Sequence, residues 1–165
     1  MDYIGVNWYT GLEVSGLGFS LLPSLSPLFT ANPLNFIQTP NDPSKLADFL
    51  HYVNVDLGMP ALITENGEDQ TTPCFIADNL RAVAQAVAAG ADVRGYFYWS
   101  LMDNYEWNHG MNLRFGLYAV SATDPSKTRT PRDAANTYAQ IAQWHVVPDA
   151  LLAQCDSQAS DAGGE

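Results

Sequence analysis

Short apolar runs that end in glycine or polar residues mark the predicted strands of this chain. Residues 2–9 predict a buried strand, with a central glycine of the kind that lets another backbone or a ligand approach closely. Residues 60–64 and 94–99 have the same character and predict two further strands. Residues 115–120 predict a short strand that returns as a hairpin.

Between these runs, apolar residues recur at the three- and four-residue spacing of a helix. Residues 44–57, 76–89 and 133–144 are the predicted helices, and glycines follow the first two as stop signals. The residues expected to face the core from the first helix are Leu46, Phe49, Leu50, Val53 and Leu57. Residues 10–43 are rich in Gly, Ser, Pro and Asn and predict a long loop, which at that length usually serves as a functional rim or lid.

Strands that alternate with helices imply parallel strands joined by right-handed crossovers, which is the α/β class. Three such units cannot close a barrel, and an open parallel sheet this apolar would expose two adhesive edges. We therefore expect residues 1–148 to form one incomplete α/β domain. Residues 149–165 become rich in Ser, Asp, Ala and Gly towards their end, and this composition predicts a disordered tail.

The composition narrows the possible functions. The formal net charge of −11 argues against nucleic acids and anionic membranes, and it disfavours a phosphate-rich substrate. Aromatic residues interleaved with polar ones are concentrated in residues 3–9 and 96–115, a mixture that suits stacking on flat apolar faces and hydrogen bonding to hydroxyl groups. The apolar runs are too short or interrupted to span a bilayer, so we predict a cytoplasmic protein.

The two cysteines, Cys74 and Cys155, show neither metal-ligand spacing nor a disulfide framework. Cys74, near the start of the second predicted helix, is interpreted as a packing residue. The cysteines therefore suggest no chemistry.

Glu65 is the strongest candidate for chemistry in the pattern. It follows the apolar strand at residues 60–64 and precedes an Asn-Gly turn signal. In barrels of alternating strands and helices, catalytic groups lie where the C-terminal end of a strand meets its loop. The alternative is a solvated loop glutamate, which is the commoner fate of a lone Glu before Asn-Gly.

Four stretches together resemble glycoside hydrolase family 1, the β-glucosidase and β-galactosidase family. They are Asp2-Tyr3-Ile4-Gly5-Val6-Asn7-Trp8-Tyr9-Thr10, Ile63-Thr64-Glu65-Asn66-Gly67, Gly95-Tyr96-Phe97-Tyr98-Trp99-Ser100-Leu101-Met102-Asp103-Asn104-Tyr105-Glu106-Trp107 and Arg114-Phe115-Gly116-Leu117. They occur in the family's order but match only the C-terminal part of its domain. The implied fold is the last three units of an eight-unit TIM barrel, strands 6 to 8 with their helices.

The resemblance implies a retaining O-glycosyl hydrolase without a cofactor or metal, acting on β-linked glucosides, galactosides or related sugars. Glu65 inherits the role of catalytic nucleophile, and Tyr9 that of the tyrosine that holds the nucleophile in place. A retaining glycosidase needs such an ionised carboxylate beneath the anomeric carbon. The alternative for Tyr9 is an ordinary core tyrosine.

The resemblance assigns the non-reducing sugar to a second group of residues. Glu106 would accept hydrogen bonds from two sugar hydroxyls, Trp107 would donate its indole N–H, and Trp99 would lie under the sugar ring unless it is an ordinary core residue. Asn7 and Phe115 would line the same site. Glu106 would repel a phosphate group, so the expected sugars are not phosphorylated. The family also implies a cis peptide bond between Trp99 and Ser100.

The acid/base carboxylate of the family lies in an Asn-Glu-Pro motif that does not occur in these residues. The chain is therefore interpreted as a fragment of a longer enzyme, as a subunit that self-associates or joins a complementary N-terminal half-barrel, or as a non-catalytic carbohydrate-binding remnant. Glu13, Glu68 or Asp103 could stand in as the acid, but the pattern favours none of them.

Overall fold

The computed structural model describes residues 2–9 and 41–160, together with the backbone of residues 12–14, 36–38 and 161–162. Within these described ranges the helices are α1 (Pro43–Val55), α2 (Pro73–Ala88), α3 (Asp133–Trp144) and α4 (Asp149–Ala162), and a 3₁₀ turn spans Trp107–His109. The strands are β1 (Ile4–Trp8), β2 (Leu12–Val14), β3 (Phe36–Gln38), β4 (Ala61–Asn66), β5 (Val93–Tyr98), β6 (Tyr118–Val120) and β7 (Arg129–Pro131).

The chain divides into two compact units, where the sequence predicted one domain over residues 1–148. The larger unit contains residues 1–8 and 43–165, and the smaller contains residues 9–42. In the smaller unit β2 and β3 pair antiparallel, with Glu13 opposite Ile37. These strands correct the prediction of a continuous loop, and the rest of that predicted loop lies outside the described residues.

The larger unit is built on a parallel sheet with the strand order β1-β4-β5. Helix α1 precedes β4 in the chain, and α2 connects β4 to β5. These parallel β/α units confirm the α/β class predicted from the alternation of apolar periods. The central strand is β4, the strand that carries Glu65.

Two apolar clusters attach the helices to one face of this sheet. In the first, Leu46, Leu50 and Val53 of α1 are fully buried against Val6 and Ile63 of the strands. Phe49 and Leu57 were also predicted to face the core, but they are 37% and 46% exposed. The buried face of this helix is therefore narrower than the face formed by its apolar residues. The second cluster joins α2, α3 and β5, and its buried members are Phe75, Ile76, Tyr98, Leu117, Ala134, Ala135 and Ile141.

The opposite face of the sheet remains open in the larger unit. Phe97 of β5, which alternates with the core residues Tyr96 and Tyr98, is 57% exposed, and Asn7 of β1 is exposed as well. Parallel sheets are normally covered on both faces. In the part of the chain that the structure describes, helices cover one face of this sheet only, as expected for an arc of a barrel wall.

The strand predicted at residues 115–120 is shorter in the structure, and it pairs with a strand that the sequence did not predict. Strands β6 and β7 form an antiparallel hairpin, with Ala119 opposite Thr130. Helix α3 then begins and ends at the residues that the periodicity predicts. Among the described residues, no helix combines the length and apolar character that a membrane crossing requires.

The C-terminal segment differs from its prediction. Residues 149–162 form α4 rather than a disordered tail, and Cys74 and Cys155 form a disulfide with their Cα atoms 5.4 Å apart. A salt bridge of 3.2 Å from Arg81 to Asp156 adds a second link between α4 and α2. A covalent bond and an ion pair to a distant helix order a segment whose own composition is a poor helix signal.

Candidate functional site

Glu65 lies inside β4, near its C-terminal end and half-buried, rather than in a solvated loop. In the parallel register its Cα partner is Asn7 of β1. The Thr64 hydroxyl donates to the Asn7 side-chain oxygen at 2.6 Å and is 3.2 Å from the Val6 carbonyl. Because the C-terminal ends of parallel strands meet at one edge of a sheet, Asn7 and Glu65 lie side by side at that edge.

Asn66 ties the ends of all three strands together. Its side-chain N–H donates to the Trp8 carbonyl at 2.7 Å, and its side-chain oxygen accepts from the Tyr96 hydroxyl at 2.5 Å. Its backbone carbonyl accepts from the Trp99 N–H at 3.0 Å. Asn66 is fully buried. The position of the adjacent Glu65 backbone is therefore fixed from both neighbouring strands.

Gly67 allows the loop after β4 to contact the end of β5. A Cβ atom at this position would lie 2.0 Å from the Trp99 carbonyl oxygen and 3.4 Å from the Phe115 ring. Only glycine fits, which gives the Asn-Gly pair after Glu65 a packing reason in addition to its turn preference. The peptide bond between Trp99 and Ser100 is cis, which confirms that prediction.

Trp99 and Glu106 are in direct contact. The Trp99 indole N–H donates to a Glu106 carboxylate oxygen at 3.1 Å, and Glu106 is buried. The Glu106 backbone N–H donates to the Gly110 carbonyl at 2.7 Å, which closes a tight turn around Trp107. The carboxylate is thus held by an aromatic donor whose bond the sequence did not predict.

The remaining predicted site residues differ in their exposure. Trp107 is 86% exposed and lies on the outside of the turn. Phe115 is half-buried, and its carbonyl accepts from the Ser100 N–H at 3.2 Å, close to Gly67. Tyr9 is half-buried directly after β1 and is the first residue of the smaller unit. Its predicted contact with Glu65 stays a prediction.

Asp103 does not have the properties of a substitute acid. Burial acts to raise the pKa of its carboxyl, but hydrogen bonds from Arg132, Val120 and Gly116 outweigh burial and leave that pKa below its usual value. A general acid must be protonated near neutral pH, and this carboxyl is ionised there. The structure therefore argues against one of the three candidates for the missing acid.

The other two candidates are not strengthened. Burial raises the pKa of the Glu68 carboxyl, the direction that an acid needs, but this carboxylate faces the Thr72 N–H and hydroxyl at the start of α2, each at 3.4 Å. The side chain of Glu13 lies outside the described residues. Within the described part of the chain, no cluster of three or more His, Cys, Asp or Glu side chains is arranged to bind a metal.

Two polar residues near the site were not singled out from the sequence. Asn66 belongs to the quoted motif, but its bonds to β1 and β5 depend on pairings distant in sequence. Arg132 carried no local signal, and it forms a 2.8 Å ion pair with Asp103. A carboxylate and a guanidinium 29 residues apart can be paired only when the fold is known.

Comparisons with known proteins give a consistent result. Residues 36–146 match the family model of Glycosyl hydrolase family 1. A β-galactosidase of Sulfolobus acidocaldarius is 33% identical over 92% of this chain and 33% of its own length. A 6-phospho-β-galactosidase of Lacticaseibacillus rhamnosus is 38% identical over 55% of this chain and 19% of its own length.

Solved structures agree with the sequence matches. The β-glycosidase from Pyrococcus horikoshii superposes with a TM-score of 0.72 at 35% identity, covering 93% of this chain and 37% of that one. The chain therefore spans about a third of the length of the relatives it matches. The predicted fold, a part of a TIM barrel, is confirmed by this partial superposition.

Proposed function

Because the chain belongs to Glycosyl hydrolase family 1, we propose that it provides the nucleophile and part of the sugar-binding surface of a retaining β-glycosidase of β-glucosidase type. The observation that carries the proposal is the position of Glu65 at the C-terminal end of the central strand, with Asn7 beside it in register. The Trp99–Glu106 pair lies after the neighbouring strand β5. A nucleophile and sugar-binding groups on adjacent strand ends are what this chemistry requires.

In the proposed reaction a Glu65 carboxylate oxygen attacks the anomeric carbon of the sugar. The bond from that carbon to the leaving oxygen breaks as the glycosyl ester forms, and the leaving oxygen takes a proton from an acid. Water then attacks the same carbon, gives its proton to the conjugate base of that acid, and releases Glu65 as a carboxylate. Tyr9 is proposed to hold the nucleophile in position through its hydroxyl.

Glu106, Trp107 and Trp99 are proposed to bind the non-reducing sugar, with Asn7 and Phe115 lining the site. The oxygen of Glu106 that does not accept from Trp99 has capacity for a sugar hydroxyl. A carboxylate at this position would repel a sugar phosphate, so we propose non-phosphorylated β-glucosides, β-galactosides or related sugars as substrates. A chain that binds a 6-phosphoglycoside more tightly than the parent glycoside would contradict this choice.

The acid is the missing part of the mechanism. The family's Asn-Glu-Pro motif does not occur in these 165 residues. Turnover that uses the family's own acid therefore requires a carboxylate from outside this stretch of chain. The alternative function is a non-catalytic carbohydrate-binding subunit that needs a second chain.

Activated aryl glycosides distinguish these functions, because a dinitrophenolate leaves without being protonated. We expect 2,4-dinitrophenyl 2-deoxy-2-fluoro-β-glucoside to attach one fluoroglucosyl group to Glu65, detected by intact mass and peptide mapping. Glu65→Gln is the matched control and should remain unlabelled. Binding without labelling would favour the carbohydrate-binding alternative, and labelling of Glu65→Gln to the same extent would end the nucleophile assignment.

The proposed partner is a complementary N-terminal half-barrel or a second copy of the chain. The open sheet face exposes Phe97, and Tyr3 beside β1 is 50% exposed. Burying such aromatic groups favours association. Analytical ultracentrifugation should show self-association, or a complex with the first two-thirds of a related enzyme; a chain that stays monomeric in both experiments would contradict the proposal.

The cytoplasmic location stays a prediction, and the Cys74–Cys155 disulfide argues against it. Disulfides persist in oxidising compartments and are rare where cellular thiols keep cysteines reduced. Alkylation with iodoacetamide at the moment of cell lysis measures the redox state directly. Alkylation of both cysteines would support a cytoplasmic location, and a protein in which neither cysteine is alkylated would support an oxidising compartment.

A further inference from the structure

A partly buried ion pair lies at the base of the loop that carries Glu106. The Asp103 carboxylate accepts two hydrogen bonds from Arg132, at 3.0 and 2.8 Å. The side chain of Asp103 is 6% exposed and that of Arg132 is 21% exposed. Paired contacts between a guanidinium and a carboxylate fix the relative orientation of both groups as well as their separation.

The same carboxylate also binds the other end of the loop. The Gly116 N–H donates to one carboxylate oxygen at 2.9 Å, and the Val120 N–H donates to the other at 3.2 Å. Arg132 additionally donates to the Gly116 carbonyl. Residues 103 and 116 are thereby fastened to each other and to the start of α3.

Gly116 is required by this arrangement. A Cβ atom there would lie 2.1 Å from the Asp103 backbone nitrogen and 2.6 Å from the Tyr118 carbonyl oxygen. The two ends of the loop are in backbone contact, so a shift of Asp103 would displace Gly116 at the other end of the loop as well. Glu106 is only three residues beyond this anchor.

We propose that Asp103 and Arg132 are positioning residues for Glu106: their ion pair holds the loop in the form that presents the Glu106 carboxylate to the sugar. This inference rests on the proposed function, since it assigns a role to residues that support the proposed sugar-binding group. Neither residue is proposed to contact the sugar.

The decisive measurement is a double-mutant cycle between Arg132 and Glu106. We expect Arg132→Met to weaken binding of 1-deoxynojirimycin, measured by calorimetry, by about tenfold, which is within the range seen for coupled residues. If Arg132 acts through Glu106, the double variant Arg132→Met/Glu106→Gln should bind no more weakly than Glu106→Gln alone. Independent effects that multiply would overturn the inference.

Two further variants separate positioning from a general loss of structure. Arg132→Lys keeps the charge but not the paired geometry, and it should restore part of the affinity. Arg94→Met is the matched control, because Arg94 forms an exposed ion pair with Asp92 at the opposite end of β5. An Arg94→Met variant that weakens binding as much as Arg132→Met would contradict a specific role.

Amide hydrogen exchange without sugar tests the inference separately from the proposed function. In Arg132→Met the Glu106 amide, which is bonded to the Gly110 carbonyl, should exchange at least about tenfold faster, while amides of α1 keep their protection. Unchanged exchange at Glu106 would overturn the inference whether or not the probe binds. Faster exchange in a protein that never binds the probe would refute the proposed function and support the positioning of Glu106.

Discussion

Replacing Asn66 with aspartate would make the central link between the three strands depend on pH. The Asn66 side chain donates to the Trp8 carbonyl and accepts from the Tyr96 hydroxyl, and the residue is fully buried. In Asn66→Asp the neutral form of the new carboxyl can make both bonds, because it has one O–H donor and one C=O acceptor. Its ionised form cannot donate and would face the Trp8 carbonyl oxygen.

The expected magnitude follows from these bonds. Leaving a buried polar partner unsatisfied costs roughly 1–3 kcal/mol. Asn66→Ala removes the partner of both the Trp8 carbonyl and the Tyr96 hydroxyl, so we expect its free energy of unfolding to fall by roughly 2–6 kcal/mol. Asn66→Asp should be close to the wild type at low pH and approach the alanine variant at high pH.

The sign of the pH dependence is fixed by burial. An aspartate has a pKa of about 3.9 in the unfolded chain, and burial without a compensating cation raises that pKa in the folded state. The stabilisation from the neutral carboxyl that Asn66→Asp introduces is therefore fully present below about pH 3.9. It is lost as the pH rises towards the folded-state pKa, and the free energy of unfolding falls by about 1.4 kcal/mol per pH unit.

Urea unfolding of wild type and variant at each pH from about 4 to 8 measures this difference, and groups common to both proteins cancel. Asn136→Asp is the control, since Asn136 is exposed on α3 and its substitution should change stability by no more than about 0.5 kcal/mol. If Asn66→Asp follows the wild type within that margin at every pH, the donor bond to Trp8 does not hold the strand ends together.

Three further predictions follow from packing, charge and the disulfide. Gly67→Ala should destabilise the fold by about 1–3 kcal/mol through its clash with the Trp99 carbonyl, whereas Gly5→Ala, whose Cβ would be 3.4 Å from its nearest neighbour, should be tolerated in the same thermal unfolding assay. The stabilisation that Asp103 contributes to the fold should be present above the unfolded-state pKa of about 3.9 and lost as the pH falls through its lower folded-state pKa. The free energy of unfolding of Asp103→Asn should therefore depend less on pH between about pH 2 and 5 than that of the wild type. An equal pH dependence in both proteins would refute this prediction. Cys155→Ser should lower the free energy of unfolding by up to about 4.5 kcal/mol for a closure spanning 81 residues, and reductant should bring the wild type to the same value but leave the variant unchanged.

Local patterns predicted the elements that face the core. The limits of α3 were predicted to the residue, and β4 and β5 were placed within one or two residues. Helix α2 begins at Pro73, three residues before its predicted start, because the Thr72 cap and Pro73 begin the helix ahead of its apolar periodicity. Helix α4 was missed because its order comes from contacts with α2 that no local pattern encodes.

The site divides in the same way. A strand tip followed by Asn-Gly indicated Glu65 from its local sequence, and the family resemblance supplied the residues proposed to bind the sugar. The buried bonds of Asn66 and the pairing of Asp103 with Arg132 could not be predicted, because they join residues brought together only by the sheet and the hairpin. The sequence therefore indicated the groups proposed to meet the sugar more readily than the groups that hold them.

The Cys74–Cys155 bond also has a topological consequence. It closes a covalent ring that contains β5, the Glu106 loop, the β6–β7 hairpin and α3, while Glu65 and Asn7 lie on the chain outside that ring. A protease that cuts once within the exposed residues 121–123 would produce two pieces that still migrate as one species until a reductant is added. A single backbone cut inside the ring therefore leaves Trp99 and Glu106 covalently joined to the rest of the chain. A single cut before Cys74 can separate part of the chain, because no disulfide spans that region.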